Sequence, residues 1–334
     1  MIAKRDFFRI AGKVFKIYSG YRIPIKVTQY LTYKCNLNCG FCGRCSVESE
    51  ELSTGQITKC ISDFKELGAE FWGFNGGEPL LRQDVGELIS FCKKVQIKTS
   101  MSTNGTLISQ RIEDIKDLDL ALISIDGPEA IHDKIRGVGS FRRTLDGLEA
   151  MKRKNKRFII VTVLNSDNVL YLEELMKLAE FYNCLCMFQP VFMHTSDKFG
   201  KATRYIPDQM IDAAGYLEKQ KRLNRPVANS FAYLDKIRKY PNLKQETCWA
   251  SRFFCVIAPN GNVFPCCNML SLDCSGEENK VKNWKQLFKS LPAASLCKGC
   301  FIFCYSEYNL LFNNPIPAVL RFTKNLLANT WLTK

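Results

Sequence analysis

From about residue 26 to residue 191, two kinds of segment alternate along the chain. Short runs are rich in β-branched and aromatic residues, and longer stretches carry apolar residues every three or four positions. The short runs, 26–33, 71–75, 98–104, 120–126, 158–165 and 184–191, read as strands. The longer ones, 54–68, 84–95, 141–154 and 169–182, read as amphipathic helices. In the second of these, Val85, Leu88, Ile89 and Cys92 fall on one face. Such alternation gives a parallel sheet with right-handed crossovers. Six units are too few for a closed eight-fold barrel. An open (βα)6 partial TIM barrel or a doubly wound sheet satisfies the pattern, and both place chemistry at the C-terminal ends of the strands. After residue 195 the pattern changes. Residues 207–223 and 231–240 read as helices, and 253–258 with 262–266 flank the turn Pro259-Asn260-Gly261 as a hairpin.

Composition narrows the class. The chain is 46% hydrophobic and 24% charged, the balance of a globular protein rather than a disordered, collagenous or coiled-coil one. Its longest apolar runs fall far short of the roughly 20 residues that span a bilayer. Lys4, Arg5, Arg9, Lys13 and Lys16 interrupt any signal-peptide core, so a cytoplasmic protein is expected. Sixteen cysteines in a reducing compartment point to metal or cluster ligation rather than disulfides. With only His132 and His194, a zinc enzyme built on several histidines is excluded.

Cys35, Cys39 and Cys42 lie in the loop directly after the first strand. Three thiolates there can hold three irons of a [4Fe–4S] cluster and leave the fourth open to a substrate. A zinc knuckle completed by Cys45 is the alternative. Gly76-Gly77-Glu78-Pro79 ends the second strand, Ser102-Thr103-Asn104-Gly105 the third, and Ser124-Ile125-Asp126-Gly127 the fourth, with Arg136-Gly137 after it. Cys-x3-Cys-x2-Cys with Phe41 before the last cysteine, followed by these motifs in this order, resembles the radical S-adenosylmethionine (radical SAM) superfamily over about residues 25–195.

The resemblance implies that Cys35, Cys39 and Cys42 ligate a [4Fe–4S] cluster whose fourth iron is chelated by SAM. Gly76 and Gly77 would let the backbone approach the methionyl group, and Glu78 would meet its ammonium. Phe41 would lie near the adenine. Ser102, Asn104 and Ser124 would hydrogen-bond the ribose or carboxylate, and Arg136 would face the carboxylate. Asn165 and Gln189, polar at the ends of strands five and six, are further candidate SAM contacts, while Asp126 reads equally as a helix N-cap. One electron from the cluster into the sulfonium would release a 5′-deoxyadenosyl radical that abstracts a substrate hydrogen atom. A flavodoxin or ferredoxin would supply that electron.

Cys248-x12-Gly261-x4-Cys266, followed by Cys297-x2-Cys300, resembles the auxiliary-cluster modules of this superfamily called SPASM and, when shortened, twitch domains. Cys248, Cys266, Cys297 and Cys300 would fully ligate a second [4Fe–4S] cluster suited to electron transfer. A structural zinc site on the same thiolates is the alternative. Roles for Cys304, Cys267, Cys255 and Cys274 stay open. Residues 1–24 are thus expected to form a basic amphipathic segment, 25–195 the core barrel, 196–247 a helical connector, 248–310 the small Cys-rich α+β module, and 311–334 a basic amphipathic tail.

The net charge of +14 is concentrated at the two ends. Either both end segments pack on the barrel, or they lie on an anionic membrane and serve a lipid-linked substrate. The basic run Lys152–Arg157 falls on the face opposite the expected mouth, so nucleic acid is not expected as a partner. A monomeric enzyme acting on a small-molecule or lipid-linked substrate is the leading expectation. A peptide substrate is the second reading, weakened by the short stretch before the first strand. A non-enzymatic iron–sulfur electron carrier or redox sensor is the rival, and it gives Gly76-Gly77-Glu78 no purpose.

Overall fold

The computed structural model describes residues 4–43, 45, 47–191, 207–239, 247–269, 283–292 and 300–313. Its strands are β1 (Lys26–Tyr30), β2 (Phe71–Asn75), β3 (Lys98–Thr103), β4 (Leu120–Ser124), β5 (Phe158–Leu164), β6 (Leu185–Pro190), β7 (Phe254–Ile257) and β8 (Val263–Phe264). The helices are α1 (Lys4–Tyr18), α2 (Thr54–Glu66), α3 (Val85–Lys94), α4 (Glu129–Arg136), α5 (Ser140–Arg153), α6 (Leu172–Phe181), α7 (Pro207–Arg222), α8 (Phe231–Arg238), α9 (Trp284–Ser290) and α10 (Phe303–Phe312). Strands β1 to β6 pair in parallel and in chain order, the open barrel-like arrangement expected of six strand–helix units.

Period-two alternation divides the sheet faces. Val27, Trp72, Phe74, Met101, Ile123 and Ile160 pack on one side in a core shared with α2, α3 and α6. Helix α2 begins on a capping box, in which Ser53 Oγ accepts from Gln56 N–H and the Gln56 side chain accepts from Ser53 N–H. Lys26, Ser100, Ser102, Leu122 and Ser124 are partly exposed toward the opposite, lumen face.

The C-terminal hairpin does not stand apart from the barrel. Strand β7 pairs in parallel with β1, from Lys26 opposite Phe254 to Gln29 opposite Ile257, and β8 pairs antiparallel with β7. The sheet therefore runs through the expected module boundary. Gly261, at φ +82°, turns the hairpin against Leu52. Helix α10 continues the closure: Tyr305 stacks on Phe254 at 4.6 Å between ring centroids, and Phe312 packs on Phe253 at 4.3 Å.

The apolar side of α1 faces inward, with Ile10, Val14 and Ile17 buried in the same cluster as Phe253 and Phe312. Two of its cations are anchored too. Arg9 and Lys13 both donate to the buried Glu70 carboxylate, Lys65 lies 4.0 Å from it, and Lys13 also donates to Gly68 O at 2.9 Å. This face of α1 is therefore not free to meet a membrane. The basic tail, residues 314–334, lies outside the described residues. Among the described residues, no helix is long and apolar enough to cross a bilayer. Glu70→Ala leaves this cation cluster without its counter-ion. It is expected to cost about 2 kcal/mol, between the exposed and buried limits for ion pairs. The check is a lower urea midpoint at unchanged slope; an unmoved midpoint would show that the apolar face alone holds α1.

Candidate active site

The cysteine loop is tied to the ends of three neighbouring elements. Gly77 N–H donates to Thr32 O at 2.8 Å and Glu78 N–H to Lys34 O at 2.9 Å, so the end of β2 grips the segment that leads into Cys35. A Cβ on Gly76 would meet Thr32 O at 2.5 Å. One on Gly77 would clash with Lys34 O and meet Tyr33 O at 2.5 Å. The glycines thus make room for the chain's own carbonyls, whatever they also offer a ligand.

Glu78 is fully buried and braces the same corner. Its Oε1 accepts from Leu80 N–H at 3.0 Å and Thr103 Oγ1 at 2.8 Å, and its Oε2 accepts from Asn104 N–H at 2.8 Å. Burial pushes its carboxyl above the usual range, against these donors and the Arg136 charge.

Asn104 carries the tie onward. Its Nδ2 donates to Asn36 Oδ1 at 2.8 Å and faces Cys35 Sγ at 3.9 Å, and its Oδ1 accepts from Thr106 N–H at 3.0 Å and Thr106 Oγ1 at 2.7 Å. Leu37 N–H points at Cys35 Sγ at 3.5 Å. On the other side, Gly40 N–H donates to Ile135 O of α4 at 2.9 Å. Arg136 Nη1 faces Cys39 Sγ at 3.8 Å, and its guanidinium lies over the Phe41 ring at 5.5 Å. Arg136 Nε donates to Asp126 Oδ2 at 2.6 Å. Asp126 is fully buried in this pair. Two of the donor nitrogens meant for a ligand carboxylate are therefore already committed within the protein.

The remaining candidates divide. Ser102 and Ser124 stand partly exposed on the lumen face below this cluster. Asn165 is fully buried in its own turn: Oδ1 accepts from Asp167 N–H at 2.8 Å and Nδ2 donates to Val163 O at 3.3 Å. Gln189 Oε1 accepts from Phe303 N–H at 3.1 Å and ties β6 to α10. Cys248, Cys266 and Cys300 join one cluster around β7 and α10, where Asn309 Nδ2 faces Cys248 Sγ at 3.6 Å; Cys297 lies outside the described residues.

Three residues that the sequence reading passed over belong here. Asn36 links Cys35 to Asn104 and also donates to Thr106 Oγ1 at 2.9 Å. His132 is buried on α4 behind Asp126, where burial pulls its imidazole down to about 4. Lys26 reaches across Gly73 to Ser100 Oγ at 3.2 Å, and burial lowers its ammonium to about 8. A charged residue on the lumen face of a mostly buried strand was the available signal for Lys26.

Among the described residues, no three His, Cys, Asp or Glu side chains converge as they would around one metal ion, and no described cysteine is in a disulfide. The donor set nevertheless fits an iron–sulfur cube, whose ligand sulfurs stand further apart than those on one ion. Amide and guanidinium N–H groups already aim at Cys35 and Cys39, as they would at anionic cluster sulfurs. Burial pushes the free Cys35 thiol up to about 11, so iron rather than solvent would have to displace its proton.

The arrangement sets these cysteines at the mouth of an open parallel sheet. Residues 30–179, a little under half of the chain, match the family model described as Radical SAM superfamily, so that span carries a radical SAM domain. An AdoMet-dependent heme synthase of Oleidesulfovibrio alaskensis is 37% identical over 159 residues, 45% of this chain and 41% of that protein's length. One of Nitratidesulfovibrio vulgaris is 29% identical over 284 residues, 75% of each chain. Among solved structures, Streptococcus suis SuiB bound to S-adenosylmethionine shares the fold with a TM-score of 0.66 at 17% identity, covering 92% of this chain and 79% of that one. The enzyme anSMEcpe with bound AdoMet and a peptide does so with a TM-score of 0.60 at 18% identity, covering 92% and 99%.

Proposed function

We propose that Cys35, Cys39 and Cys42 hold the SAM-binding [4Fe–4S] cluster, and that Cys248, Cys266, Cys297 and Cys300 hold one auxiliary [4Fe–4S] cluster. The substrate is a small metabolite. The observation that carries the first assignment is the cradle itself: Asn104, Leu37 and Arg136 direct N–H donors at Cys35 and Cys39 sulfurs. When bound, the cluster and SAM supply a 5′-deoxyadenosyl radical for hydrogen abstraction. The chain's own residues brace and orient. Glu78 fixes the β2–β3 corner, Asn104 fixes Cys35, and Arg136 fixes Cys39 beside Phe41. Ser102 and Ser124 line the lumen where the nucleoside and substrate would meet.

The substrate class rests on the relatives. Those that share 29–37% identity carry a heme-synthase name. The peptide-bound neighbours lie at 17–18% and share only the fold. A tetrapyrrole is therefore the first compound to try. The lipid-linked reading loses the α1 half of its support, because the apolar side of α1 is buried.

The test is anaerobic SAM cleavage by reconstituted protein with reductant, followed as 5′-deoxyadenosine. The additions are none, an aqueous host extract, a lipid extract and a carboxylated tetrapyrrole. Stimulation by the aqueous extract or the tetrapyrrole is expected. Stimulation by lipid extract alone would replace the metabolite reading with a lipid-borne one.

A further inference from the structure

Behind the cysteine loop, four groups form a row whose geometry does more than brace Cys39. Cys39, Arg136, Asp126 and His132 are all buried. Asp126 is held from three directions. Its Oδ2 accepts from Arg136 Nε at 2.6 Å, its Oδ1 accepts from Val163 N–H at 2.9 Å, and its own N–H donates to His132 Nδ1 at 3.2 Å. The last bond fixes the imidazole as the tautomer with its proton on Nε2, an atom with no partner among the described residues. A rigid carboxylate then holds one edge of the guanidinium. The Phe41 ring covers the face, and Nη1 is left pointing at Cys39 Sγ, 3.8 Å away. An arginine kept for a ligand carboxylate would present its fork to open space; this one aims at a sulfur.

We propose that Arg136 sets the reduction potential of the cluster ligated by Cys39, through an N–H···S hydrogen bond and its fixed charge, with Asp126 and His132 as positioning residues. This rests on the assignment of Cys35, Cys39 and Cys42 as cluster ligands. In the step concerned, a low-potential one-electron donor is oxidised and the cluster gains that electron, becoming one charge more negative. No bond to Arg136 forms or breaks. A donor and a cation at a ligand sulfur stabilise the more negative state, and in a buried, low-dielectric setting they do so strongly.

The experiment is a mediated redox titration of reconstituted full-length protein, read by electron paramagnetic resonance, with dithionite as reductant and no SAM present. The signal lost in Cys39→Ala identifies the cluster concerned. If no signal is lost in that variant, the ligand assignment itself fails. With the assignment intact, Arg136→Met is expected to make reduction about tenfold less favourable, a midpoint lower by about 59 mV for one electron. Arg136→Lys, which keeps the charge, is expected to shift it less. A wild-type midpoint in Arg136→Met, or a shift that appears only after SAM is added, overturns the proposal. Should Arg136→Met fail to fold, ¹⁵N-arginine-labelled wild-type protein still decides. Pulsed resonance of its reduced cluster should show a ¹⁵N coupling, and absence of that coupling overturns the proposal.

Discussion

Cys39→Ala is expected to yield folded protein that makes no detectable 5′-deoxyadenosine. Cys39 is 7% exposed at the edge of the cysteine loop, and truncating its thiol removes little packed volume. On the proposed assignment, what it removes is one of three protein ligands to an iron cluster. The hydrogen bond from Gly40 N–H to Ile135 O and the Arg136–Asp126 pair remain, so the loop keeps its path. Iron should fall from about eight to about four per chain, the count for one remaining [4Fe–4S] cluster. Cys92→Ala is the matched control. Cys92 is fully buried on the core face of α3, and burial holds its thiol far above the usual range. That change should cost about 1–2 kcal/mol of stability and leave iron and SAM cleavage intact. SAM cleavage surviving in Cys39→Ala, or equal iron loss in both variants, would sink the ligand assignment.

Much of the sheet was legible because each strand carries its own signal. The reading 71–75 coincides with Phe71–Asn75, and the other five strands are found within three residues of their expected ends. All five overshoot at the C-terminal end, the sixth strand also by one residue at its N-terminal end, and the C-terminal excess has a cause. Leu31 still donates its N–H to Asn75 O and is buried, and Ile125 donates to Val161 O, so the hydrophobic run continues after the regular strand stops. Those extensions are the loops that build the site.

The pairing of β7 with β1 was not legible. Its residues are all buried, as an interior strand requires, but a short apolar run before a turn reads the same way in an isolated hairpin. The partner lies over two hundred residues away, and no local pattern names it. The site shows the same division. Spacing picked out the cysteine loop and the Gly76-Gly77-Glu78 corner, and the structure brings these two segments side by side. Asn165 could not be told from a lumen residue, because a polar side chain at a strand end looks alike whether it faces a ligand or its own turn.

Glu78→Ala is expected to cost about 3 kcal/mol or more and to lower SAM cleavage at least tenfold. The carboxylate is fully buried and is the acceptor for Leu80 N–H, Asn104 N–H and the Thr103 hydroxyl; deleting it orphans donors that water cannot reach. Asn104 is the next link to Cys35, so a displaced Asn104 backbone carries the damage to the cluster loop. Glu78→Gln separates bracing from charge. Its amide oxygen can serve two donors, but its nitrogen must face a third. The pH dependence of this variant has a fixed sign. Burial raises the folded-state pKa of Glu78 above the ordinary 4.5, so the unfolded chain ionises first as pH rises. The wild-type advantage over the non-titrating glutamine is therefore largest in acid and shrinks as pH climbs from 4.5 through the raised folded value. Urea unfolding of both proteins across that range measures it. A gap that widens with pH would mean that the three donors outweigh burial and that Glu78 sits in the fold as a low-pKa carboxylate.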